Sequence, residues 1–239
     1  MTSDPNPMPD SSSKSRTRAN PGEGQALREQ LLDAAEALLA ESGSEKALSL
    51  RKVSTRAGVT TPSVYLHFAD KQALVGAVAA RAWANLDKHM RDAREGVGDP
   101  MRALRRTGAA YVRFAVDHPV QYRLLLMSAP EEAGEAQHEA ANACLEHIVA
   151  AVRPCVEAGV LRGDAEQLTL RMWSAVHGCA ALLISQPHLP WPVETIGDEV
   201  ARMAGLGAAM ATRLDPREFY PADAFTAALD GAAAVLRQT

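Results

Sequence analysis

Apolar residues recur along this chain at intervals of three and four from about residue 25 to its end, the spacing of one-sided helices rather than of strands. Leu27, Leu31, the pair Ala34–Ala35 and Leu38 predict a helix over 25–42, stopped by Gly43. Leu50, Val53 and Ala57 stripe a short second helix. Ser49 stands where a hydroxyl can accept from its orphan N–H groups, and Gly58 where a left-handed backbone costs least. Thr60 offers the cap of a third helix, whose first turn tolerates Pro62. On that helix Val64 and Phe68 point inward, and Thr61 and Tyr65 share another face with Ser63 and His67 close by.

The pattern continues in longer segments. Asp70 stands at the N-cap of a fourth helix reaching about Arg94, with Leu74, Val78, Leu86 and Met90 inside, and Gly96-Val97-Gly98-Asp99-Pro100 ends it. Met101, Leu104, Gly108, Tyr111 and Ala115 mark a fifth helix that stops at His118-Pro119. Further helices are predicted over about 119–128, 133–157 and 164–185, then, past the proline-rich 187–192, over 194–213 and 221–237. The segment 194–213 is rich in Ala and Gly. The fold class is all-α, since no segment keeps a strand's alternation.

Composition narrows the class. No apolar run approaches the roughly 20 residues of a membrane span, and no secretory core opens the chain, so no membrane partner and a cytoplasmic setting are expected. Cys144, Cys155 and Cys179 are odd in number and match no metal spacing. Cys144 and Cys155, eleven residues apart on one helix, stand about 16 Å apart along its axis, too far for a bridge. The net charge of −4 speaks weakly against nucleic acid, but residues 11–72 carry nine Lys/Arg against seven acids, a surplus of +2. Residues 1–24 have little to bury and are expected to form a disordered basic tail. Its Lys14, Arg16 and Arg18 suit a solvated terminus, or an arm entering a minor groove.

A helix pair such as 50–71 is the unit that lays its second helix in a DNA major groove, and the same pattern fits an ordinary helical hairpin. The stretch AGVTTPSVYLHFADKQAL, with LREQLLDAAEALLAESG before it, resembles the DNA-binding signature of TetR-family transcriptional regulators over about residues 25–86. YVRFAVDHPVQYRLLLM and the run from Trp173 through His177-Gly178 resemble a ligand domain of that family, the type named for its Trp…His-Gly motif. The resemblance implies a DNA-binding domain over 25–71 and a helical ligand-binding and dimerisation domain over 72–239. It implies a homodimer pairing through the helices predicted over 164–185 and 194–213, and a small-molecule effector. It also implies a palindromic double-stranded operator, with repression the default mode.

The residue inventory qualifies that picture. Between Thr60 and Phe68 there is no Arg, Lys, Asn or Gln, the side chains that read bases by paired hydrogen bonds. In the family, the positions of Thr60, Tyr65, His67 and Lys71 mostly hold phosphates, which set register without reading sequence. Base reading is left to Thr61, Ser63, Tyr65 and His67, with Pro62 against a thymine methyl. Arg51 is the candidate for a guanine contact, or else a plain surface arginine. With Ser49 these residues make up the expected DNA-binding set.

Trp173 and His177, one helical turn apart, are either packing residues of a helical core or walls of an effector cavity shared with Tyr111, Phe114 and Tyr122. Cys144 and His147 share a helix face, but two ligands make no metal site, and no cofactor is expected. No glycine-rich phosphate loop, His-Glu-x-x-His or Gly-x-Ser-x-Gly is present, which argues against an enzyme. The remaining rivals are an activator, or a helical adaptor or small-molecule-binding protein whose DNA binding is not regulated by ligand.

Overall fold

The computed structural model describes residues 21–43, 45–126, 135–215 and 218–237. Among them lie ten α-helices and no strand. They are α1 (Pro21–Ser42), α2 (Leu50–Ala57), α3 (Thr61–Tyr65), α4 (Lys71–Arg94) and α5 (Pro100–Asp117), then α6 (Pro119–Leu126), α7 (Glu135–Glu157), α8 (Ala165–Ser185), α9 (Ile196–Ala211) and α10 (Ala222–Leu236). The chain divides into two units, Met1–Lys71 and Gln72–Thr239.

In the first unit α1 begins at Pro21, four residues ahead of expectation, because a first-turn proline lacks only an N–H that would be orphaned anyway. The basic residues Lys14, Arg16 and Arg18 lie outside the described residues. The buried face of α1 is Leu31, Leu32, Ala34, Ala35 and Leu39. Leu38, expected inside, is only half-buried, and Leu39 takes the place on the stripe. On α1 packs α2, and on α2 packs α3, burying Leu50, Val53 and Ala57 of α2, Val64 of α3 and Phe68. Each such leucine or phenylalanine contributes about 1.5–3 kcal/mol through burial. Gln30 Nε2 donates to the Ala57 carbonyl at 2.8 Å, satisfying a C-terminal group of α2 with a side chain from α1. Arg28 lies over the Phe68 ring, 5.4 Å from its centre.

The second unit is built around α5, which packs on α7, α8 and α9. Asp99 and Asp164 cap α5 and α8, accepting from Arg102 N at 2.6 Å and Gln167 N at 2.9 Å. Gly108 explains the close approach of α5 and α9: a Cβ there would meet Ala201 Cβ at 2.8 Å. Arg105 reaches across the same pair of helices to both carboxylate oxygens of Asp198. Val152, Cys155, Leu161, Leu168 and Met172 form a buried cluster where α7 meets α8. One helix is shorter than predicted, α9 occupying Ile196–Ala211 instead of 194–213; the predicted end of the sixth helix at 128 and start of the seventh at 133 lie outside the described residues.

One expectation needs correction. No segment was expected to approach a membrane span, yet α8, 21 residues long with an 18-residue stretch of mean hydropathy 1.2, does so by length and composition. Its apolarity has another use. Leu168, Met172, Val176, Ala180, Leu183 and Ile184 form one buried stripe against the other helices, while Leu170 and Leu182 stand exposed on the other side of the helix.

Candidate functional site

The helix pair of the first unit is assembled by its hydroxyl groups. Ser49 has an extended backbone and its Oγ accepts from Lys52 N at 3.3 Å, so its hydroxyl caps α2. Gly58 closes α2 at φ 69°, in the left-handed region, and returns its N–H to the last carbonyls of the helix. Thr60 caps α3 in turn, accepting from Ser63 N at 3.4 Å. The third helix is short: only Thr61–Tyr65 are helical before the chain turns through Leu66 and His67.

Two of the residues expected to read DNA are engaged inside the unit. Buried Ser54 donates its hydroxyl to the Arg51 carbonyl at 2.9 Å, so in its 3.0 Å contact with Thr61 the proton comes from Thr61. Thr61 therefore ties α3 to α2 and retains only acceptor capacity. Thr60 and Ser63 lie 2.8 Å apart through their hydroxyls, which leaves the pair one proton to offer outward.

The exposed set is different. Arg51 stands on the surface at the start of α2, its guanidinium making no hydrogen bond or ion pair to a described residue. Pro62 is exposed, Tyr65 is 55% exposed, and His67 and Lys71 are half-buried. Lys52 is held by the Ala47 carbonyl at 2.8 Å, and Arg56 is paired with Glu41 at 2.6 Å. Leu66 was not singled out in the sequence, although it shares a face with Pro62 four residues earlier; it is 83% exposed beside Tyr65.

In the second unit Tyr111, Tyr122 and His177 converge. His177 Nδ1 lies 2.6 Å from the Tyr122 hydroxyl and 3.0 Å from that of Tyr111, and the two hydroxyls are 3.2 Å apart. Tyr122 stacks on His177, and Trp173 tilts against it with ring centres 5.5 Å apart. Burial pushes the Tyr122 phenol up to about 12 and the Tyr111 phenol higher, while it lowers the His177 imidazole. All three groups are thus held in their neutral forms.

Tyr111 and Trp173 also line a cavity of about 40 Å³. Its other walls are Met90 of α4, Leu104, Thr107 and Gly108 of α5, Ile148 and Val152 of α7, Thr169, Met172 and Val176 of α8, and Ala201 and Ala204 of α9. That volume holds about one or two waters; clefts for drug-sized ligands run from roughly 300 Å³ upward. Met90 and Met172 are unbranched walls that can move aside. Phe114 is elsewhere: fully buried, it packs on His118 at 4.8 Å and His89 at 5.5 Å between ring centres. His177 and Tyr122 stand behind the cavity wall. Leu104 and Tyr111, seven apart on α5, were the signal for this wall, but which face met α8 was not readable from spacing.

Among the described residues no group of three or more His, Cys, Asp or Glu is arranged to hold a metal. Burial pushes the Cys144 thiol up to about 12, and His147 Nδ1 instead lies 2.8 Å from Asp87 Oδ1.

Two sequence profiles match the chain. "Bacterial regulatory proteins, tetR family" covers residues 31–78, and "Tetracyclin repressor-like, C-terminal domain" covers 104–206, a span enclosing Trp173, His177 and Gly178. The chain belongs to the TetR family of DNA-binding transcriptional regulators, and its relatives are regulators rather than enzymes. Solved structures agree with the fold. A protein of unknown function from Rhodococcus sp. RHA1 is 28% identical, with a TM-score of 0.68 over 84% of this chain and 100% of that one. The TetR-family transcriptional regulator PfmR of Thermus thermophilus is 23% identical, with a TM-score of 0.55 over 73% of this chain and 96% of that one. A TetR/AcrR-family regulator from Thermobifida fusca is 19% identical, with a TM-score of 0.59 over 75% and 97%.

Proposed function

We propose that this regulator is a homodimeric repressor that holds a palindromic operator and lets it go when a small molecule enters its second unit. The observation that carries the reading is the division of labour in the first unit. Caps and clamps satisfy Ser49, Ser54 and Thr61 internally, while Arg51 at the start of α2, Pro62 and Tyr65 on α3 and Leu66 just after it are left on the surface. Tyr65, His67, Lys71 and the Thr60–Ser63 hydroxyl pair hold phosphates, and Arg51 reads a guanine. With so few base-reading groups, selectivity leans on duplex shape and on two half-sites.

A two-fold dimer places its reading helices in successive major grooves about 34–36 Å apart. Exposed Leu182 of α8 with Met203 and Leu206 of α9 supply an apolar surface for the pairing. α4 begins at the last residue of the first unit and carries Met90 to the cavity, so a ligand displacing Met90 acts on the helix that leads from the head. Linkage requires that the ligand lose as much affinity to DNA as DNA loses to the ligand.

Fluorescence anisotropy with duplexes from the chain's own upstream region tests the reading. One palindromic segment should bind with a steep loss of affinity on raising salt. Inserting five base pairs between its halves, which turns them to opposite faces of the duplex, should cost at least about tenfold. Equal binding to scrambled duplexes overturns the reading.

A further inference from the structure

We propose that the cavity walled by α4, α5, α7, α8 and α9 takes an uncharged, largely apolar small molecule carrying a single hydrogen-bond acceptor, a carbonyl or its equivalent, held by the Trp173 indole N–H. This rests on the effector-sensing reading above. The indole Nε1 of Trp173 is buried and has no hydrogen-bond partner, and Trp173 is part of the cavity wall. Indole N–H is a donor only, so the missing partner is an acceptor. A buried donor left unmatched is costly, which makes the site ask for that group.

The other polar groups of the wall are already satisfied. Thr107 donates to the Ala103 carbonyl at 3.0 Å and Thr169 to the Ala165 carbonyl at 2.7 Å, each within its own helix. The Tyr111 hydroxyl is shared between Tyr122 and His177. The nearby Trp173 indole eases ionisation of the Tyr111 phenol, against the stronger effect of burial, but makes no hydrogen bond to it. The remaining lining is aliphatic, thioether or glycine, with no carboxylate, ammonium or guanidinium. A carboxylate or ammonium ligand would enter without a counter-charge, and a polyhydroxylated one would leave most of its groups unmatched. An apolar body with one acceptor leaves nothing unmatched on either side, and Met90 and Met172 give way to admit it.

The test uses the full chain labelled with ¹⁵N-tryptophan, whose three indoles are Trp83, Trp173 and Trp191. The Trp173 resonance is assigned by its loss in W173F. Acetophenone, ethylbenzene and benzoate, similar in bulk, are titrated in turn. Acetophenone should bind at least about tenfold tighter than ethylbenzene and move the Trp173 N–H downfield, and benzoate should bind more weakly than either. In W173F the preference for ketone over hydrocarbon should fall to near one. Equal binding of ketone and hydrocarbon to the wild-type chain removes the acceptor assignment while leaving a sensor in place, and this comparison stands even if W173F fails to fold. Tightest binding by benzoate, or a tenfold preference surviving in W173F, overturns the proposal as well. If none of the three moves the Trp173 resonance below its solubility limit, the sensor reading of this cavity falls with it.

Discussion

In the first unit the hydroxyls of Ser49, Ser54 and Thr61 serve caps and clamps, and the groups left over stand in solvent. In the second unit Tyr111, Tyr122 and His177 are bonded to one another at the centre, and Nε1 of Trp173, a residue of the cavity wall, is among the buried groups left without a hydrogen-bond partner. Both regions use hydrogen bonds to settle their own polar groups and leave a few unmet. The unmet groups differ in cost. A guanidinium in water waits for DNA at no penalty, whereas an indole N–H in an apolar wall is a standing loss that a ligand removes. The difference separates residues whose loss harms recognition from residues whose loss harms the fold.

Substitutions can break that separation. The largest effect is expected for Phe114→Ala, which removes a fully buried ring from between His89 and His118. Thermal and denaturant unfolding should show a loss of about 3–5 kcal/mol. A stable F114A protein that binds no effector would instead place Phe114 in a site.

Next, Arg51→Ala should weaken preference at one position per half-site by about 1–3 kcal/mol in competition binding, with unfolding unchanged within about 0.5 kcal/mol. Thr61→Val should do the converse. It costs about 0.5–1.5 kcal/mol of stability by breaking the bond to Ser54 and leaves base preference unaltered. If T61V shifts base preference as R51A does, Thr61 reads DNA after all.

The smallest effect concerns pH. Burial lowers the His177 pKa in the folded chain below its ordinary 6.5, so the unfolded chain binds the proton more readily. Its contribution to stability is complete above about pH 6.5 and is lost as the solution is acidified through the folded value. Unfolding followed from pH 8 to 5 should show that decline, and His177→Gln should flatten it.

Much of the head was legible in the sequence because its signals are local. Caps at Ser49 and Thr60, a left-handed glycine at 58 and inward Val64 and Phe68 each depend on neighbours within a few residues, and all five stand in the structure. The inner face of α1 was misplaced at Leu38 because Leu31 continues to Leu38 at i+7 as well as Leu32 continues to Leu39, and only the packing of another helix decides which of the two stripes is covered at that end. Thr61 and Ser54, seven residues apart on different helices, could be paired only once the turn between them was built. The aromatic set was half legible. Tyr111, Tyr122, Trp173 and His177 do meet, but Phe114, three residues from Tyr111 on the same helix, points into another packing layer.

Periodicity, caps and breakers by themselves determined an all-helical chain with a short, glycine-turned helix pair near its start, since these are properties of consecutive residues and the backbone they specify. Which polar groups are spent and which are left waiting was decided only by the tertiary structure. Ser54 meets Thr61, Tyr111 and Tyr122 meet His177, and the Trp173 N–H is left without a hydrogen-bond partner, because burial and hydrogen-bond geometry are set by residues distant in sequence.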